Sequence, residues 1–328
     1  MTRLRNNNPP YIKLKDNART VMCDMIIALL PLYVMAYFYY GARAISLGIV
    51  SAVCCFALDM LLSFLRSRKF NYRDFSAIVT GLIIPLLMPA SIHYGIVVIA
   101  DVFAILVAKQ VFGGTGNNIF NPAAAGIAFA TISFSEKMFL YPVPLDTHLP
   151  VFSNEIVGLV QSPSAILRFG GIPTTEISDM LFGNFAGPMG ATNILVMLSC
   201  FAFLLIRRTT RPHTTVAYIV TCAILGGIFS RADMGFFLSS IYELFSGTLL
   251  FGGIYMLGDS ATIPTRNIGK IAFGIIAGTL TILFRHIGAF EQELMFVILI
   301  CNSFVGVMDH TAEVYYSKKR SVVTNELN

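Results

Sequence analysis

The chain has 328 residues, of which 55% are hydrophobic and only 12% are charged, with a formal net charge of +5. Soluble domains carry about 25% charged residues, so the composition excludes an ordinary soluble protein and predicts an all-α polytopic membrane protein. The basic residues cluster near the ends of apolar segments, which is typical of membrane topology signals and not of a nucleic-acid-binding surface.

Apolar stretches predict about ten transmembrane segments, several of them shorter than the ~20 residues of a full span. They are residues 19–40, 44–66, 76–90, 94–112, 121–135, 190–207, 214–230, 244–258, 269–285 and 293–310. Short segments interrupted by Gly and Pro are typical of broken helices around a midplane site. Five segments on each side of a long loop favour a 5+5 inverted repeat, because an odd number of spans reverses the orientation of the second half.

The predicted organisation has five parts. They are a cytoplasmic N-terminal segment (1–18), a first five-helix repeat (19–135), an extracytoplasmic loop (136–189), a second five-helix repeat (190–311) and a cytoplasmic C-terminal tail (312–328). Lys and Arg cluster in residues 3–19, 66–73, 207–211, 266–270 and 318–320. A cytoplasmic N terminus puts all five clusters in the cytoplasm, as the positive-inside rule requires. Residues 1–19 are polar and predict no cleavable signal peptide.

The most informative stretch is residues 113–123, which read Gly-Gly-Thr-Gly-Asn-Asn-Ile-Phe-Asn-Pro-Ala between two apolar segments. Irregular polar backbone at membrane depth is tolerated only where it is buried in protein or lines a cavity. Gly114 and Gly116 let the backbone approach a ligand closely, and the amides of Asn118 and Asn121 can both donate and accept hydrogen bonds. These amides contact either a ligand or the backbone of their own loop, and the residues alone leave both interpretations open.

Acidic side chains inside a membrane are costly and indicate function by default. Asp59 and Asp101 lie within apolar segments, Asp259 lies at a second Gly-containing break, and Asp309 ends the last segment. We favour Asp59, Asp259 and Asp309 as candidates for an ion path; the alternative is a buried acid whose partner fixes packing. The sequence predicts no catalytic residue and no metal site, and the six cysteines fit a packing role.

Several strings together resemble the NqrB/RnfD family of membrane subunits in ion-translocating oxidoreductase complexes. They are residues 74–82, 108–123, 181–184, 211–213, 258–265 and 302–309, in the family's order and over nearly the whole chain. The string from Gly113 to Ala123 is specific, and the others are individually modest. Within the family, the resemblance is stronger to the subunits of Rnf complexes, which are ferredoxin:NAD oxidoreductases.

The resemblance implies a ten-helix inverted-repeat fold similar to that of urea transporters. It also implies FMN joined by a phosphoester bond to a hydroxyl in the external loop, and a second, noncovalent flavin such as riboflavin in the membrane core. The residues for that second flavin would be Gly114, Gly116, Asn118 and Asn121. The subunit would then relay electrons between flavins and iron–sulfur subunits, coupled to Na⁺ or H⁺ movement.

The covalent site departs from the family's pattern, in which a Thr follows Ser-x-Ala and an Asp precedes them. Residues 161–167 read Gln-Ser-Pro-Ser-Ala-Ile-Leu, so Ser164 takes the acceptor's place and the leading Asp is missing. Thr192, in Gly-Ala-Thr, copies the end of the pattern better but stands where a helix begins. Ser164 is the first choice, Thr192 is the alternative, and a chain without covalent flavin is the third possibility.

Two functions therefore compete. The first is a flavin-carrying subunit that is not catalytic alone and needs iron–sulfur and flavin-carrying partner subunits in a prokaryotic inner membrane. The second is an inverted-repeat solute channel or transporter without a cofactor, because a fold alone does not decide function. The sequence leaves open the choice of Na⁺ or H⁺ and the direction of electron flow.

Overall fold

The computed structural model describes residues 18–67, 74–147, 149–152, 158–210, 212–259, 261–288 and 291–326, and its described side chains end at residue 315. The predicted N-terminal segment thus lies outside the described residues, apart from residue 18. The basic residues at 68–73 and 211 and the basic side chains at 318–320 also lie outside them.

Five helices form the first half of the described chain. They are α1 (Ala18–Tyr40), α2 (Ala42–Ser67), α3 (Ser76–Leu86), α4 (Tyr94–Val102) and α5 (Pro122–Ser133). Helix α4 continues without interruption into a π-helix over Phe103–Gln110, a rare geometry that is frequent at functional sites. Helix α5 begins with an N-cap: the side chain of Asn121 accepts a hydrogen bond from the Ala124 amide, and Pro122 occupies the first helical position.

The middle segment of the chain lies between α5 and α9. Its described residues form short helices and strands that cover one end of the helices. It comprises α6 (Ser135–Met138), the antiparallel strands β1 (Tyr141–Pro142) and β2 (Leu159–Val160), α7 (Pro163–Arg168) and α8 (Ile177–Phe182). The Tyr39 hydroxyl at the end of α1 donates to the carbonyl of Phe182. Arg43 at the start of α2 donates to the carbonyl of Pro150 at 2.6 Å. These bonds fix the middle segment at the end where α1 finishes and α2 begins.

The second half contains seven further helices among the described residues. They are α9 (Ile194–Ile206), α10 (Pro212–Ile228), α11 (Phe236–Phe245), α12 (Leu249–Tyr255), α13 (Asn267–Ile287), α14 (Glu293–Ser303) and α15 (Val305–Glu326).

Three described helices are long and apolar enough to cross a membrane, namely Ala18–Tyr40, Ala42–Arg66 and Asn267–Ile287. Two bent pairs raise the number to five if each pair is one span: α11 with α12, bent by 61°, and α14 with the first part of α15, bent by 51°. Helices α3, α5, α9 and α10 are apolar but shorter. The chain is therefore a multi-pass, mostly helical membrane protein; the count of ten spans and the repeat stay predictions.

The structure corrects one sequence boundary. The sequence placed an apolar segment at 244–258, whereas α11 begins at Phe236, eight residues earlier, and the chain then bends before α12. The hydropathy of the sequence did not indicate the start of this helix, because α11 carries the charged residue Glu243. In the structure Glu243 is buried and paired with Arg231 and with Arg285 of α13, two partners that a local window does not contain.

Helices α5 and α14 run antiparallel and exchange hydrogen bonds at both ends. The backbone amide of Asn121, at the start of α5, donates to Oδ1 of Asn302 near the end of α14 at 3.0 Å. The hydroxyl of Thr131, near the end of α5, donates to Oε1 of Gln292 at the start of α14 at 2.9 Å. In each helix the two bonding residues are ten positions apart, so the start of each helix contacts the end of the other.

The same two starting residues also reach the ends of the broken helices of the opposite half. The Gln292 side chain donates to the carbonyl of Leu87 just after α3 at 2.6 Å. The Asn121 side chain donates to the carbonyl of Met256 just after α12 at 3.3 Å. Both carbonyls belong to helix ends, where carbonyls lack intrahelical partners. Among the described residues the Gln292 amide is the donor to the Leu87 carbonyl, whereas the Met256 carbonyl also accepts from the Asp259 backbone amide at 3.3 Å.

Candidate functional site

A pocket of roughly 770 Å³, including its open mouth, lies at the end of the helices opposite the middle segment. Its wall comes from the starts of α1 and α3, the loop before α5 and the loops before α10 and α13. The apolar lining comprises Val21, Met22, Met25, Val79 and Ile83, and the polar lining comprises Ser76, Thr80, Lys109, Thr115, Asn118, Asn121, Thr209, Thr210, Tyr255 and Asp259.

The loop before α5 depends on three glycines in the left-handed region. The φ angles of Gly113, Gly114 and Gly116 are +114°, +89° and +87°. Residues that carry a side chain adopt such angles only at a cost of about 1–2 kcal/mol. The amide of Gly114 donates to the carbonyl of Lys109 at 3.1 Å, which closes the loop directly onto the end of the π-helix. The glycines thus turn the chain back so that the next residues face the pocket.

Asn118 and Asn121 both line this pocket, and both amides also bond within the protein. Asn118 accepts from the amide of Gly116 at 3.3 Å and donates to the carbonyl of Phe120 at 3.2 Å. Asn121 caps α5 and bonds across to α12 and α14, as described above. Each side-chain amide offers two donors and two acceptor positions, so part of the bonding capacity of Asn118 stays available to a ligand. The structural interpretation of these residues and the ligand-binding one are therefore compatible.

Lys109, at the end of the π-helix, is the charged centre beside the pocket. Its side chain is 2% exposed, and its ammonium lies 3.1 Å from Oδ1 of Asp59 on α2. It also donates to the Ser76 hydroxyl at 2.7 Å and lies 3.8 Å from Oδ2 of Asp74. Gln110 donates to the same Asp59 oxygen at 2.6 Å. The predicted ion-path residue Asp59 is thus held in a buried ion pair, which fits the packing alternative of the sequence prediction.

Asp74 precedes α3 and shares the lysine. Burial alone would raise the pKa of its carboxyl, but the Lys109 ammonium and hydrogen bonds from Thr115 and Ser76 outweigh burial, so the pKa lies below its usual value. The Thr115 hydroxyl donates to Oδ2 of Asp74. This carboxylate therefore stays ionised and ties the glycine loop to the start of α3.

Two buried hydroxyls in the pocket wall have no hydrogen-bond partner among the described residues. They are Oγ1 of Thr210, in a residue 5% exposed, and the phenolic oxygen of Tyr255, in a residue 2% exposed. The Tyr255 hydroxyl lies close to the Cys200 sulfur, a weak acceptor, but no hydrogen bond of ordinary geometry joins them. Buried polar groups in native proteins are nearly always paired, and exceptions need an explanation. A polar ligand in the pocket would supply the missing partners.

The two remaining candidate acids lie in different places. Asp259 lines the pocket and accepts from the amide of Ala261 at 3.3 Å. Asp309 lies outside the pocket lining, at the start of α15, and accepts from the amide and the hydroxyl of Thr265 at 2.9 and 3.0 Å. Asp309 therefore anchors the loop before α13, and it lies apart from the Lys109 cluster.

The candidate flavin acceptors are both buried. Ser164 is the second residue of α7 and is 2% exposed. Its hydroxyl lies close to Gly247, since an ideal Cβ built on that glycine would be 3.7 Å from the hydroxyl oxygen. Thr192 is 1% exposed and donates to the carbonyl of Met189 at 3.5 Å. Ser162 begins α7 as its N-cap. All three lie on the side of the molecule away from the pocket; that this side faces out of the cell stays a prediction.

Sequence reasoning missed three residues of the pocket as site residues. Lys109 carried a usable signal, because a lysine inside an apolar segment is costly unless it is paired. Thr210 and Tyr255 gave no local signal, since hydroxyls at helix ends are common. Only the packing of α12 and the loop before α10 against the glycine loop brings them to the same wall as Asn118.

The fold and the pocket define a multi-pass α-helical membrane protein in which the loops between helices border a pocket with apolar and polar lining residues. The model of the NQR2, RnfD, RnfE family matches residues 5–317, and the chain belongs to that family. This membership confirms the resemblance seen in the sequence.

Curated relatives span nearly the same length. Similar proteins from Pectobacterium carotovorum and Cronobacter sakazakii are 29% identical, and one from Salmonella paratyphi A is 28% identical. In each comparison the alignment covers 95% of this chain and 96% of the relative. Each relative is named as a subunit of an ion-translocating oxidoreductase complex.

Proposed function

We propose that this chain is the membrane subunit of an Rnf-type ion-translocating oxidoreductase complex and that its pocket at the glycine–asparagine loop holds a noncovalent flavin. Family membership over nearly the whole chain supports the first part. The unpartnered hydroxyls of Thr210 and Tyr255 in the pocket wall are the observation that carries the second.

The pocket fits a flat ligand with one polar edge. Its apolar lining from α1 and α3 suits an aromatic ring system, and its amides and hydroxyls suit the nitrogen and oxygen edge of an isoalloxazine. When bound, a flavin supplies one- and two-electron transfer. The protein's part would be to bind and orient the ring, and Lys109 would provide positive charge beside it. Asp259 would line the other side of the entrance.

FMN joined by a phosphoester bond is a separate part of the proposal, with Ser164 as the first choice, Thr192 as the alternative and no covalent flavin as the third outcome. Both hydroxyls are buried, so a flavin transferase would reach either one only before the middle segment packs against the helices or after that segment opens. Ser164 has the shorter route to solvent, because the neighbouring Ser162 lines a surface pocket.

We also infer that the helices form an inverted repeat, with α1–α5 and α9–α14 as the two halves. The reciprocal bonds of Asn121 and Gln292 support this inference, since each residue stands at the N-cap position of a short helix and its side chain donates to a carbonyl at the end of a helix in the other half. A two-fold axis in the membrane plane between α5 and α14 relates two such contacts.

The orientation we propose has both termini in the cytoplasm of a prokaryotic cell and the chain in the inner membrane. Basic residues of the described loops support it, because Arg66 and Arg207 lie at the pocket end of the molecule, away from the middle segment. Other subunits that carry iron–sulfur clusters and flavins would supply and remove the electrons.

Purified protein tests the pocket. We expect a yellow protein whose flavin is released on denaturation, and Thr210→Val and Tyr255→Phe should each weaken flavin retention by about 2–10-fold, the value of one neutral hydrogen bond. Because neither hydroxyl has a partner among the described residues, thermal stability of the flavin-free protein should stay unchanged. Thr279→Val, on the exposed face of α13, is the matched control. Unchanged retention in both pocket variants would overturn the assignment.

Co-expression with a flavin transferase tests the covalent bond. In-gel fluorescence of the denatured band should be present in the parent chain, absent in Ser164→Ala and retained in Thr192→Ala. The reverse pattern assigns Thr192, and an absence of fluorescence in all three removes covalent FMN from the proposal. A protein that stays colourless and binds no added flavin would favour the solute channel or transporter instead.

A further inference from the structure

A second pocket opens at the opposite end of the molecule, beneath the middle segment. It encloses roughly 720 Å³ including its mouth, and its polar lining comprises Tyr141, Gln161, Ser162, Arg168 and Glu291. Glu291 lies between α13 and α14, next to the Gln292 that bonds across to α3. The pocket therefore joins the surface to the buried start of α14.

Behind this pocket lies a buried cluster of charges. Arg285 of α13 pairs with Glu243 of α11 at 2.9 Å and with Glu293 of α14, and Arg231 pairs with Glu243. Glu291 belongs to none of the ion pairs among the described residues, and its Oε1 instead accepts from the Ser162 hydroxyl at 2.7 Å. The cluster with Glu291 thus holds two guanidinium groups and three carboxyls.

Two oxygen atoms at the pocket wall have no hydrogen-bond partner among the described residues, namely Oε2 of Glu291 and the hydroxyl of Tyr141. Glu291 is 9% exposed and Tyr141 is 1% exposed. The two side chains are near enough to influence each other's ionisation, yet no hydrogen bond of ordinary geometry joins them. An ionised carboxylate left in this state costs several kcal/mol, and taking up a proton removes most of that cost.

The groups around Glu291 shift the pKa of its carboxyl in both directions. Burial raises the pKa of the Glu291 carboxyl, and the neighbouring Glu293 raises it further, whereas the Ser162 and Tyr141 hydroxyls and Arg285 lower it; the net direction is upward. Arg231 and Glu243 lie beyond Arg285 in the same cluster, and Arg168 lines the pocket mouth.

We propose that Glu291 is a proton-exchanging carboxyl, loaded from the aqueous pocket beside the middle segment and placed on the ion path of this subunit. In the loading step a proton from hydronium forms an O–H bond to Oε2, leaving water and a neutral carboxyl. A proton suits the site better than a metal cation, because the side-chain groups beside the Glu291 carboxyl include the hydroxyls of Ser162 and Tyr141, which can donate hydrogen bonds to it, and the described residues hold no metal-binding group of three or more acidic, His or Cys side chains.

This assignment rests on the ion-translocating part of the proposed function, but its test needs neither flavin nor partner subunits. Infrared spectra of the purified full-length chain, titrated from acid to alkaline pH, should show the C=O stretch of a buried protonated carboxyl. Other buried carboxyls absorb in the same region, so the component assigned to Glu291 is the one that is lost in Glu291→Gln and kept in Glu136→Gln, an exposed acid of α6. In Ser162→Ala, which keeps the carboxyl and removes a bond that lowers its pKa, the midpoint should move to higher pH.

The outcomes are distinct. If Glu291→Gln removes no component of the band, or if Ser162→Ala leaves the midpoint of the Glu291 component unchanged, the proposal is overturned whether or not the protein binds flavin. Repeating the titration in sodium and in choline salts separates the two ions. An unchanged band in both salts supports a proton site, and loss of the band in sodium at constant pH would replace it with a sodium site. A colourless protein with the expected band would contradict only the flavin proposal.

Discussion

At the scale of single residues, the pairing of Asp59 with Lys109 carries the clearest energetic consequence. Both side chains are buried, at 7% and 2% exposure, and lie between α2 and the π-helix. Breaking a buried pair leaves an uncompensated charge, whereas replacing both partners with neutral groups is often harmless. This asymmetry separates a structural pair from an isolated ion-path acid.

We therefore expect Lys109→Met to lower the free energy of unfolding by about 3–5 kcal/mol, because it leaves the Asp59 carboxylate buried without its cation. The double variant Lys109→Met with Asp59→Asn should recover part of this loss, since Asp74 still lacks the lysine. Denaturant unfolding of the detergent-solubilised chain measures both. If the double variant is no more stable than Lys109→Met, the pair does not account for the loss.

The candidate site was only partly predictable at this scale. The glycines and Asn121 could be read from the sequence because a left-handed turn and a helix start use the same few residue types everywhere. Thr210 and Tyr255 could not be predicted as site residues. They stand out because their buried hydroxyls lack a hydrogen-bond partner, and this depends on how α12 and the loop before α10 pack against the glycine loop. The charge balance around Glu291 likewise depends on Arg285 and Glu243, which are distant in sequence from most of their partners.

At the scale of elements, the sequence located most helices within a few residues, since long apolar runs fix their positions. It missed two local features for physical reasons. The buried Glu243 hid the start of α11, and the π-helix over Phe103–Gln110 has no signature in the apolar pattern. In both cases tertiary contacts outweigh the local pattern: Glu243 is neutralised by Arg231 and Arg285, and the π-helix ends in the paired Lys109.

The reciprocal contacts of α5 and α14 predict equal effects at the two ends of the molecule. Asn121→Ala and Gln292→Ala should each lower stability by about 1–3 kcal/mol, because the first removes the side-chain cap of α5 and a bond to the Met256 carbonyl, and the second leaves the buried Leu87 carbonyl without its side-chain donor. Thermal unfolding in detergent measures the losses. Asn184→Ala, at an exposed amide, is the control and should change stability by less than about 0.5 kcal/mol. A loss confined to one of the two variants would contradict the equivalence of the two ends.

At the scale of the whole molecule, the two pockets lie at opposite ends of one helical body and use different chemistry. The pocket at the glycine–asparagine loop has a polar wall with unpartnered hydroxyls, and the pocket at Glu291 has an excess carboxyl. Helices α5 and α14 connect them, since Asn121 lies in the first pocket and Gln292 adjoins Glu291 in the second. A pair of short, directly bonded helices thus runs from one pocket to the other.

The complete complex offers the test of which ion moves. If Glu291 exchanges protons, redox turnover in proteoliposomes should change the internal pH in sodium-free buffer, and radioactive sodium uptake should stay at background when a protonophore is present. Glu291→Gln should lower the protons moved per electron, whereas Glu136→Gln should not. Sodium uptake that persists or rises with the protonophore would mean that sodium is the primary ion, because a protonophore collapses a proton gradient and leaves a primary sodium pump free to run.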